Sequence, residues 1–281
     1  MLSIGADPEF FITSEDGALL PIVGLIGGTK EAPLKMGNMP GYAIQEDNVM
    51  AEFNIPPSYN AEQFCDVATY GRDLALSAIR KKVPGAMRHY DSSAIFTGEQ
   101  LSSPQAQMFG CSPDFDANNQ GAPLPRILPQ SLYVQGGDAW RFAGGHVHIG
   151  YTDEDLGWSP PDFVVAAICD VHIGVPMIAH MYDLQGERRK FYGTPGRYRP
   201  TRYGIEYRVL SNQWLRSGHS MLAVGRATER MYSTLLKGEE HVRRLYNDLP
   251  WIDIRKAIAT ESVQTCLALR DYFRSIGMGV L

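Results

Sequence analysis

The chain has 281 residues, 44% hydrophobic and 20% charged, which excludes a disordered protein and allows one large core or two modest ones. Its formal net charge of -5 argues against a nucleic-acid partner, because nucleic-acid-binding domains usually carry a basic excess. Four cysteines without C-x-x-C spacing and no signal sequence predict a cytoplasmic protein. The longest apolar run, 163–168, is too short to span a membrane.

The amino-terminal residues alternate between polar and apolar side chains, which predicts a β-strand over Leu2–Thr13. Asp7 and Glu9 then lie on one face of this strand. Pro8 cannot donate a hydrogen bond, so it indicates an edge strand or a bulge. The turn sequence SEDGA predicts a hairpin that leads into a second strand over Leu19–Val23.

The next predicted hairpin covers Tyr42–Ile55, with its turn at Glu46–Asn48. Glu52 and Asn54 share one face of its second strand. The period then becomes helical over Asn60–Val83, with Asn60 as the N-cap, and this helix is expected to cover a sheet.

Residues 98–137 are rich in Pro, Gln, Ser, Gly and Asn and show little periodicity. A stretch of this length without regular structure predicts a lid or a specificity insertion, and the alternative is a surface decoration. From 217 onward the pattern is helical almost to the end. No repeat or linker divides the chain, so a single domain over 1–281 is expected.

Two histidines alternate with apolar residues in WRFAGGHVHIGY, the segment Trp140–Tyr151. His146 and His148 are therefore predicted to project from the same face of a strand, and the neighbouring glycines allow close approach to the backbone. A hydrogen-bonded core pair is the alternative. A long apolar helix should follow, capped by Ser159, running to about Tyr182 and kinked at Pro176.

A cationic segment, 186–210, holds six arginines and one lysine among Gly, Pro and Tyr residues. It ends in a predicted strand with Glu206 and Arg208 on one face and apolar residues on the other. Arginine forks match phosphate and carboxylate oxygens, so this segment predicts a site for a polyanion, which a metal ion could accompany. A solvated basic surface is the alternative.

Polar residues spaced two apart recur along the predicted strands, which indicates a mainly antiparallel sheet with one face lining a wet cavity. The pairs are Asp7 with Glu9, Glu52 with Asn54, His146 with His148, and Glu206 with Arg208. Crowded carboxylates repel unless a cation neutralises them. Carboxylates, an imidazole and arginines favour Mg²⁺ or Mn²⁺ holding a nucleotide polyphosphate, with zinc as the rival ion.

Several motifs also resemble a known family. GADPEF is similar to the first strand of glutamine synthetases and glutamate-cysteine ligases, GGHVHIG to their glycine-flanked H-x-H strand, and GRYRP with GIEYR to their arginine-rich ending. The order along the chain is the same and spans 4–212. With QEDNVMAEFN between them, the motifs most resemble the phage carboxylate-amine ligases (type-2 COOH-NH2 ligases, or amidoligases) of that superfamily.

The resemblance implies roles for individual residues. The implied metal ligands are Glu9, Glu52, Glu206 and His148, with Glu46 as a weaker candidate because its spacing differs from the family's. The implied catalytic residues are Arg197, Arg199 and Arg208. The candidate nucleotide-binding residues are Arg197, Arg199, His146 and His148, together with Arg188 and Arg189, which are included for their chemistry only. Asp7 with Pro8 departs from the family, which more often has glutamate there.

The resemblance further implies an α+β catalytic domain with a curved antiparallel sheet and helices on its convex face. Its activity would be ATP-dependent joining of a carboxylate and an amine through an acyl phosphate, with Mg²⁺ or Mn²⁺ and a small-molecule or peptide substrate. A phage-encoded enzyme would act in the host cytoplasm. The open alternatives are a metal-dependent hydrolase that uses the H-x-H pair, and a non-catalytic binder of nucleotide or peptide.

Overall fold

The computed structural model describes residues 1–107, 114–124, 132–133 and 135–281, and it is a mixed α+β protein with antiparallel sheets, one of them curled into a half-barrel. This confirms the predicted fold class at that level. The strands are β1 Ser3–Ala6, β2 Glu9–Thr13, β3 Leu19–Leu20, β4 Leu34–Lys35, β5 Ala43–Asp47, β6 Met50–Asn54, β7 Met87–His89, β8 Ser93–Phe96, β9 Phe115–Asp116, β10 Ala122–Pro123, β11 Ala139–Phe142, β12 Val147–Gly150, β13 Arg197–Thr201 and β14 Gly204–Tyr207. The helices are α1 Ala61–Arg80, α2 Pro104–Gln107, α3 Asp153–Leu156, α4 Asp162–Cys169, α5 Val175–Ala179, α6 Gly218–Leu235, α7 Glu239–Asp248, α8 Trp251–Thr260 and α9 Val263–Ser275.

The fold contains two six-stranded sheets. The first has the strand order β1-β12-β14-β13-β9-β10, and the second has the order β3-β2-β6-β5-β4 with β7 also paired to β2. A separate pair, β8 with β11, completes the strands that the structure describes. The pairings are antiparallel, as the alternating polar pattern predicted.

The chain passes from the first sheet to the second at Asp7 and Pro8. The prediction of a single strand over Leu2–Thr13 is therefore wrong: β1 pairs with β12, whereas β2 pairs with β6. Pro8 has no N–H to give to a ladder, and its carbonyl accepts a hydrogen bond from Phe53 N at 3.2 Å. Asp7 and Glu9 consequently reach different surroundings although two residues separate them.

The predicted hairpin over Tyr42–Ile55 is confirmed as β5 and β6, but its turn is shorter than expected. Asp47 pairs with Met50, so the loop is only Asn48 and Val49. Asn48 adopts a positive φ of 56°, a conformation that asparagine tolerates better than most residues. The register that results places Gln45 directly opposite Glu52.

Helix α1 begins as predicted. The side chain of Asn60 accepts a hydrogen bond from Gln63 N, and Gln63 in turn accepts one from Tyr59 N. Its buried face includes Phe64, Ala68 and Ala75 and packs on α6 as well as on β6. The helix therefore packs between the sheet and α6, the first of the carboxyl-terminal helices.

The glycine-rich segment before His146 interrupts the predicted strand, so that β11 and β12 belong to different sheets. A Cβ atom at Gly145 would lie 2.2 Å from Ser211 O, and one at Gly144 would lie 2.6 Å from His146 Nε2. Only glycine fits these two positions. The close approach that the sequence predicted is therefore made by the protein's own backbone and imidazole.

The long apolar helix exists but differs from its prediction at both ends. It begins at Asp162 with Pro161 as N-cap, so Ser159 is not its cap, and it ends at Ala179. A π-helical turn, Asp170–Gly174, interrupts it just before Pro176, where the missing N–H disturbs the helical ladder. Segment 162–179 is apolar and long enough to cross a membrane, but 89% of it is buried in the protein, which is typical of a core helix.

Residues 98–137 lie only partly within the described ranges, because 108–113, 125–131 and 134 fall outside them. The described part contributes α2 and also β9 and β10, which extend the first sheet beyond β13. The segment thus supplies part of the sheet that bears the candidate site. The lid function remains a prediction.

The predicted carboxyl-terminal helices are confirmed as α6 to α9, and Gly238 and Pro250 precede α7 and α8 as expected. The main hydrophobic core runs from Leu2 to Val280 and joins both large sheets to these helices. A smaller cluster lies beside the β8–β11 pair, with Phe11 and Phe96 as its largest members. These cores fix the sheets relative to each other.

Candidate functional site

One face of the first sheet carries a row of polar side chains at matched positions. Gly5 pairs with His148, His148 pairs with Glu206, and Glu206 pairs with Arg199, across four adjacent strands. Residues directly opposite each other in antiparallel strands present their side chains to the same face. The register therefore builds the row that the separate motifs suggested.

Asp7, His148 and Glu206 form a potential cation site, which we call the histidine group. Each can offer one ligand atom, and these three atoms lie within 4.8 Å of one another. His148 Nε2 forms an ion pair with Asp7 Oδ1 at 3.2 Å, and both atoms are buried. A proton on Nε2 can hold this pair together, and a cation with Glu206 as a third ligand could take the place of that proton.

Glu9, Asp47 and Glu52 form a second potential cation site, which we call the acidic group. Their ligand atoms also lie within 4.8 Å of one another. Gly144 N donates to Glu9 Oε2 at 2.7 Å, and Gln45 Nε2 donates to Glu52 Oε2 at 2.9 Å. These bonds orient the carboxylates but leave three acidic side chains facing each other.

Burial and mutual repulsion favour protons on the acidic group. Burial, followed by the charge of Asp47, raises the pKa of Glu9 to about 7. Burial, followed by the charges of Asp7 and Glu9, raises the pKa of Glu52 well above its usual range. Burial also raises the pKa of Asp47. A divalent cation would replace these protons and remove the repulsion.

The histidine group has the opposite balance. Burial alone would raise the pKa of Asp7, but the charges and hydrogen bonds of His148 and His146 outweigh it and hold this pKa well below its usual range. Glu206 is likewise buried beside Asp7, and the bond to His146 with the charge of Arg208 brings its pKa to about 2. Both carboxylates are therefore ionised at neutral pH.

His146 stands beside the histidine group without completing it. Its Nδ1 lies 3.2 Å from Glu206 Oε1, 3.6 Å from Asp7 Oδ1 and 3.3 Å from Arg208 Nη1. Burial would lower its pKa, but the two carboxylates raise it overall. The two imidazoles of the H-x-H motif thus share Asp7 as a neighbour, while only His148 belongs to a three-ligand group within the described residues.

Two of the predicted arginines converge on Glu206. Arg199 Nη1 donates to Glu206 Oε2 at 3.1 Å, and Arg208 Nη1 donates to Glu206 Oε1. Arg208 Nε also forms an ion pair with Asp114 at 2.6 Å, which brings a residue of the 98–137 segment to the site. The side chain of Arg208 is buried, so its charge acts on the site with little solvent screening.

Arg197 lies further along β13 from this cluster. Its Nε donates to Thr194 Oγ1 at 2.6 Å, and its Nη1 lies 3.7 Å from Asp116 Oδ2. Arg199 Nε and Arg188 Nε are among the buried N–H groups of the described residues that have no hydrogen-bond partner. Unpaired cationic donors of this kind are rare, and an anionic ligand would satisfy them.

A cavity of about 50 Å³ adjoins the acidic group and is lined on one side by arginines. Its charged and polar walls are Glu9, Asp47, Arg141, His146, Arg188 and Arg208. Arg188 is buried, donates to Gln185 Oε1, and has its pKa lowered to about 10, chiefly by burial. The cavity is large enough for one small charged group.

Arg189 does not reach the site, so its predicted nucleotide-binding role is not supported by its position. It forms ion pairs with Asp183 at 3.2 Å and Glu261 at 3.1 Å, and it donates to the carbonyls of Val209 and Gly193. These acceptors occupy the N–H groups of its guanidinium. Arg189 instead anchors the cationic segment to Glu261, at the end of α8, and to the backbone that follows β14.

Glu46, the weaker predicted metal ligand, also lies outside both ligand groups of the described residues. Strand alternation turns it away from Glu52, and its carboxylate accepts hydrogen bonds from the backbone N–H groups of Gly24, Ile26 and Gly27. Those bonds lower its pKa in spite of its partial burial. Asp47, which the sequence placed in a turn, occupies the ligand position instead. Counting alternate positions back from Glu52, across a two-residue loop of Asn48 and Val49, places Asp47 on the same face as Glu52. This pattern could have identified Asp47 from the sequence.

A second cavity, of about 340 Å³, is bordered by His148 of the histidine group. Its walls include Ser3, Gly5, Asn54, Pro57, His148 and Tyr203. Its lining includes the small residues Ser3 and Gly5 and the aromatic ring of Tyr203, so it suits an uncharged planar group better than a charged one. The two cavities therefore differ in size and in charge.

The donor sets fit Mg²⁺ or Mn²⁺. The acidic group offers only carboxylate oxygens, and the histidine group offers two carboxylates and one imidazole, which are ligands that these ions accept. The convergence of Asp7, His148 and Glu206, with ligand atoms within 4.8 Å of one another, supports a cation at the histidine group. The raised pKa values of Glu9 and Glu52 support one at the acidic group.

No protein-family model matches the chain, and no curated protein matches it either. The family resemblance of the motifs therefore stays a prediction.

Proposed function

We propose that the chain is an ATP-dependent carboxylate-amine ligase whose fold is like the catalytic domain of the glutamine synthetase and glutamate-cysteine ligase superfamily. One observation supports this most: potential cation ligands lie beside buried arginines whose N–H groups include some without a hydrogen-bond partner among the described residues. Asp7, His148 and Glu206 would bind a cation, while Arg188 Nε and Arg199 Nε would donate hydrogen bonds to an anion. A metal-nucleotide complex carries both charges.

ATP would supply a phosphoryl group that converts a substrate carboxylate into a good acyl donor, and Mg²⁺ would neutralise the phosphate charge. Overall, a carboxylate, an amine and ATP would give an amide, ADP and phosphate. The histidine and acidic groups would hold the metal. Protein nucleophiles are not required for this reaction, and the described cysteines (Cys65, Cys169 and Cys266) are not among the site residues.

Arg199 and Arg208 would stabilise the negative charge that builds on the transferred phosphoryl group. Both already lie within hydrogen-bond distance of Glu206, so they would act next to the cation that Glu206 holds. Fixed donors in a site with little water stabilise such charge strongly because they need no reorganisation. Arg197, whose Nη1 has only a long ion pair with Asp116, would extend the same positive surface.

The two cavities suggest how the substrates divide. The cavity of about 50 Å³ beside Arg188 and the acidic group suits a small anionic group of the carboxylate substrate. The cavity of about 340 Å³ beside His148 suits an uncharged ring such as a nucleobase. The reacting groups would then meet between the two cation sites.

A zinc hydrolase that uses both histidines is less well supported. Within the described residues, His148 shares a three-ligand group with Asp7 and Glu206, whereas His146 contacts the carboxylates Asp7 and Glu206 and the guanidinium of Arg208. Zinc would also leave the unpaired arginine donors unexplained. A non-catalytic nucleotide binder remains the second alternative.

The test is a substrate screen by mass spectrometry. The purified chain is incubated with ATP and Mg²⁺ and with pools of amino acids, polyamines and peptides, and products are sought at the summed mass of two substrates minus water. We expect phosphate release only when a carboxylate and an amine are both present. Glu206→Gln should abolish it, and Glu46→Gln serves as a matched control because Glu46 lies outside both groups.

The other outcomes are distinct. Hydrolysis that needs zinc but no nucleotide would replace the ligase proposal with a hydrolase. Mg²⁺-dependent ATP binding without turnover in any pool would favour a binding protein.

A further inference from the structure

Tyr203 occupies the turn between β13 and β14, at the edge of the larger cavity. Its backbone is fixed: Tyr151 N donates to Tyr203 O at 2.9 Å, and Tyr203 N donates to Thr201 Oγ1 at 3.4 Å. The ring is 42% exposed, so it is not a core side chain. Its position is nevertheless determined by the hairpin.

The phenol contacts His148 in two ways. The hydroxyl oxygen lies 2.7 Å from His148 Nδ1, and the two rings are stacked with centroids 6.0 Å apart and planes 22° apart. On the opposite edge of the imidazole, Nε2 faces Asp7 Oδ1 at 3.2 Å. The imidazole is therefore held between an aromatic hydroxyl and the carboxylates of the histidine group.

A histidine that binds a cation uses one ring nitrogen as a ligand and keeps the proton on the other. The protonated nitrogen almost always has an acceptor, which fixes both the tautomer and the orientation of the ring. Nε2 is the nitrogen that faces the ligand atoms here, so Nδ1 is the nitrogen that needs the acceptor. The Tyr203 hydroxyl oxygen is at the right distance to accept this hydrogen bond.

We propose that Tyr203 is a positioning residue: its hydroxyl oxygen fixes His148 in the tautomer whose Nε2 lone pair faces Asp7 and Glu206. This inference rests on the cation site of the proposed function. It adds a residue that lies outside the motifs, on a turn that the strand pattern left without a role. It also links the larger cavity to the cation site, because one tyrosine borders both.

The experiment measures Mn²⁺ binding alone, by the electron paramagnetic resonance signal of the free ion, so it needs no knowledge of the substrates. A Glu52→Gln background weakens the acidic group and leaves the histidine group to be measured. In that background, Tyr203→Phe retains the stacked ring and removes the hydroxyl. We expect it to weaken Mn²⁺ binding by about tenfold, the lower end of the usual effect of such partners.

Tyr70→Phe is the matched control, because Tyr70 is 44% exposed, lies on α1 and packs edge-on against Tyr42. It should leave Mn²⁺ binding unchanged. Both variants should melt like the parent chain, because both residues are exposed and surface substitutions change stability little. A double-mutant cycle then separates positioning from a general structural effect: in a His148→Ala background, Tyr203→Phe should have no further effect on Mn²⁺ binding.

A second readout follows the imidazole itself. The ¹⁵N chemical shifts of His148 with Mg²⁺ should show a protonated Nδ1 in the parent chain and a mixture of tautomers in Tyr203→Phe. Parent-like Mn²⁺ affinity and parent-like shifts in Tyr203→Phe would overturn the positioning role and leave the ligase proposal intact. A wild-type chain that binds no Mn²⁺ would overturn both, which keeps the two failures distinct.

Discussion

The histidine group and the acidic group contain similar ligands but have opposite electrostatic surroundings. Asp7 and Glu206 are surrounded by His146, His148 and Arg208, and their pKa values are held low. Glu9 and Glu52 are surrounded mainly by other carboxylates, and their pKa values are raised. Burial has the same direction of effect in both groups, so the neighbouring charges decide the difference.

This difference indicates two ways to prepare a cation site. The histidine group is ionised in advance, because its neighbours already neutralise the carboxylates. The acidic group holds protons that a cation must displace, so its affinity is linked to pH. We expect the histidine group to hold the cation more persistently, and the acidic group to bind one together with substrate.

The largest expected effect comes from removing the carboxylate of Glu206, which belongs to the histidine group and also accepts hydrogen bonds from Arg199 and Arg208. Glu206→Gln should weaken Mg²⁺-dependent ATP binding by more than ~100-fold, since losing even an outer partner of a ligand costs about 10- to 100-fold. Isothermal titration with a non-hydrolysable ATP analogue measures it. Parent-like affinity in the folded variant would remove Glu206 from the site, and Glu46→Gln provides the isosteric control.

Arg199→Lys tests whether the histidine group works with its arginines. Lysine keeps the charge but loses the planar fork that can make two bonds to phosphate, so kcat/KM for ATP should fall by an amount worth ~2 kcal/mol. Arg202→Lys, on the exposed turn beside it, should change by less than about 0.5 kcal/mol. Equal, small effects in both variants would mean that Arg199 is an ordinary surface arginine.

The pH dependence of the acidic group can be isolated in the Glu206→Gln background. Burial and Asp47 raise the pKa of Glu9 to about 7, so below that pH a proton must leave before a cation binds. Mn²⁺ affinity should rise by about tenfold per pH unit for each proton displaced, through about pH 7 for Glu9, and should keep rising as long as Glu52, whose pKa is also raised, holds its proton. A flat profile from pH 5.5 to 8 would contradict the proton-linked site.

Glu52→Gln should stabilise the chain when no divalent cation is present. A carboxyl group whose folded pKa is raised contributes its stability below the unfolded pKa and loses it as pH rises through the folded pKa. At pH 8 the substitution should therefore raise the free energy of unfolding by ~1 kcal/mol. Denaturant unfolding in EDTA measures this, and Mg²⁺ should reduce the difference by stabilising the parent chain.

The sequence alone determined the elements that depend on local pattern. Alternation predicted the β5–β6 hairpin and the H-x-H segment, and the cap at Asn60 predicted the start of α1, because these signals act over a few residues. Alternation also placed Glu206 on a polar face of its strand. The row of His148, Glu206 and Arg199 follows once the strands are paired.

Only the tertiary structure decided how the charged residues are distributed. Pro8 moves the chain between sheets, so Asp7 and Glu9 join different groups, and a shift of the turn at Asn48 gives the ligand position to Asp47 instead of Glu46. Arg189 forms ion pairs with Asp183 and with Glu261, which is far away in the chain, and these pairs hold it outside the site. The sequence could indicate candidate ligands. The ionisation of each ligand and its hydrogen-bond partners depend on burial and on contacts between residues far apart in the chain, and a local sequence pattern contains neither.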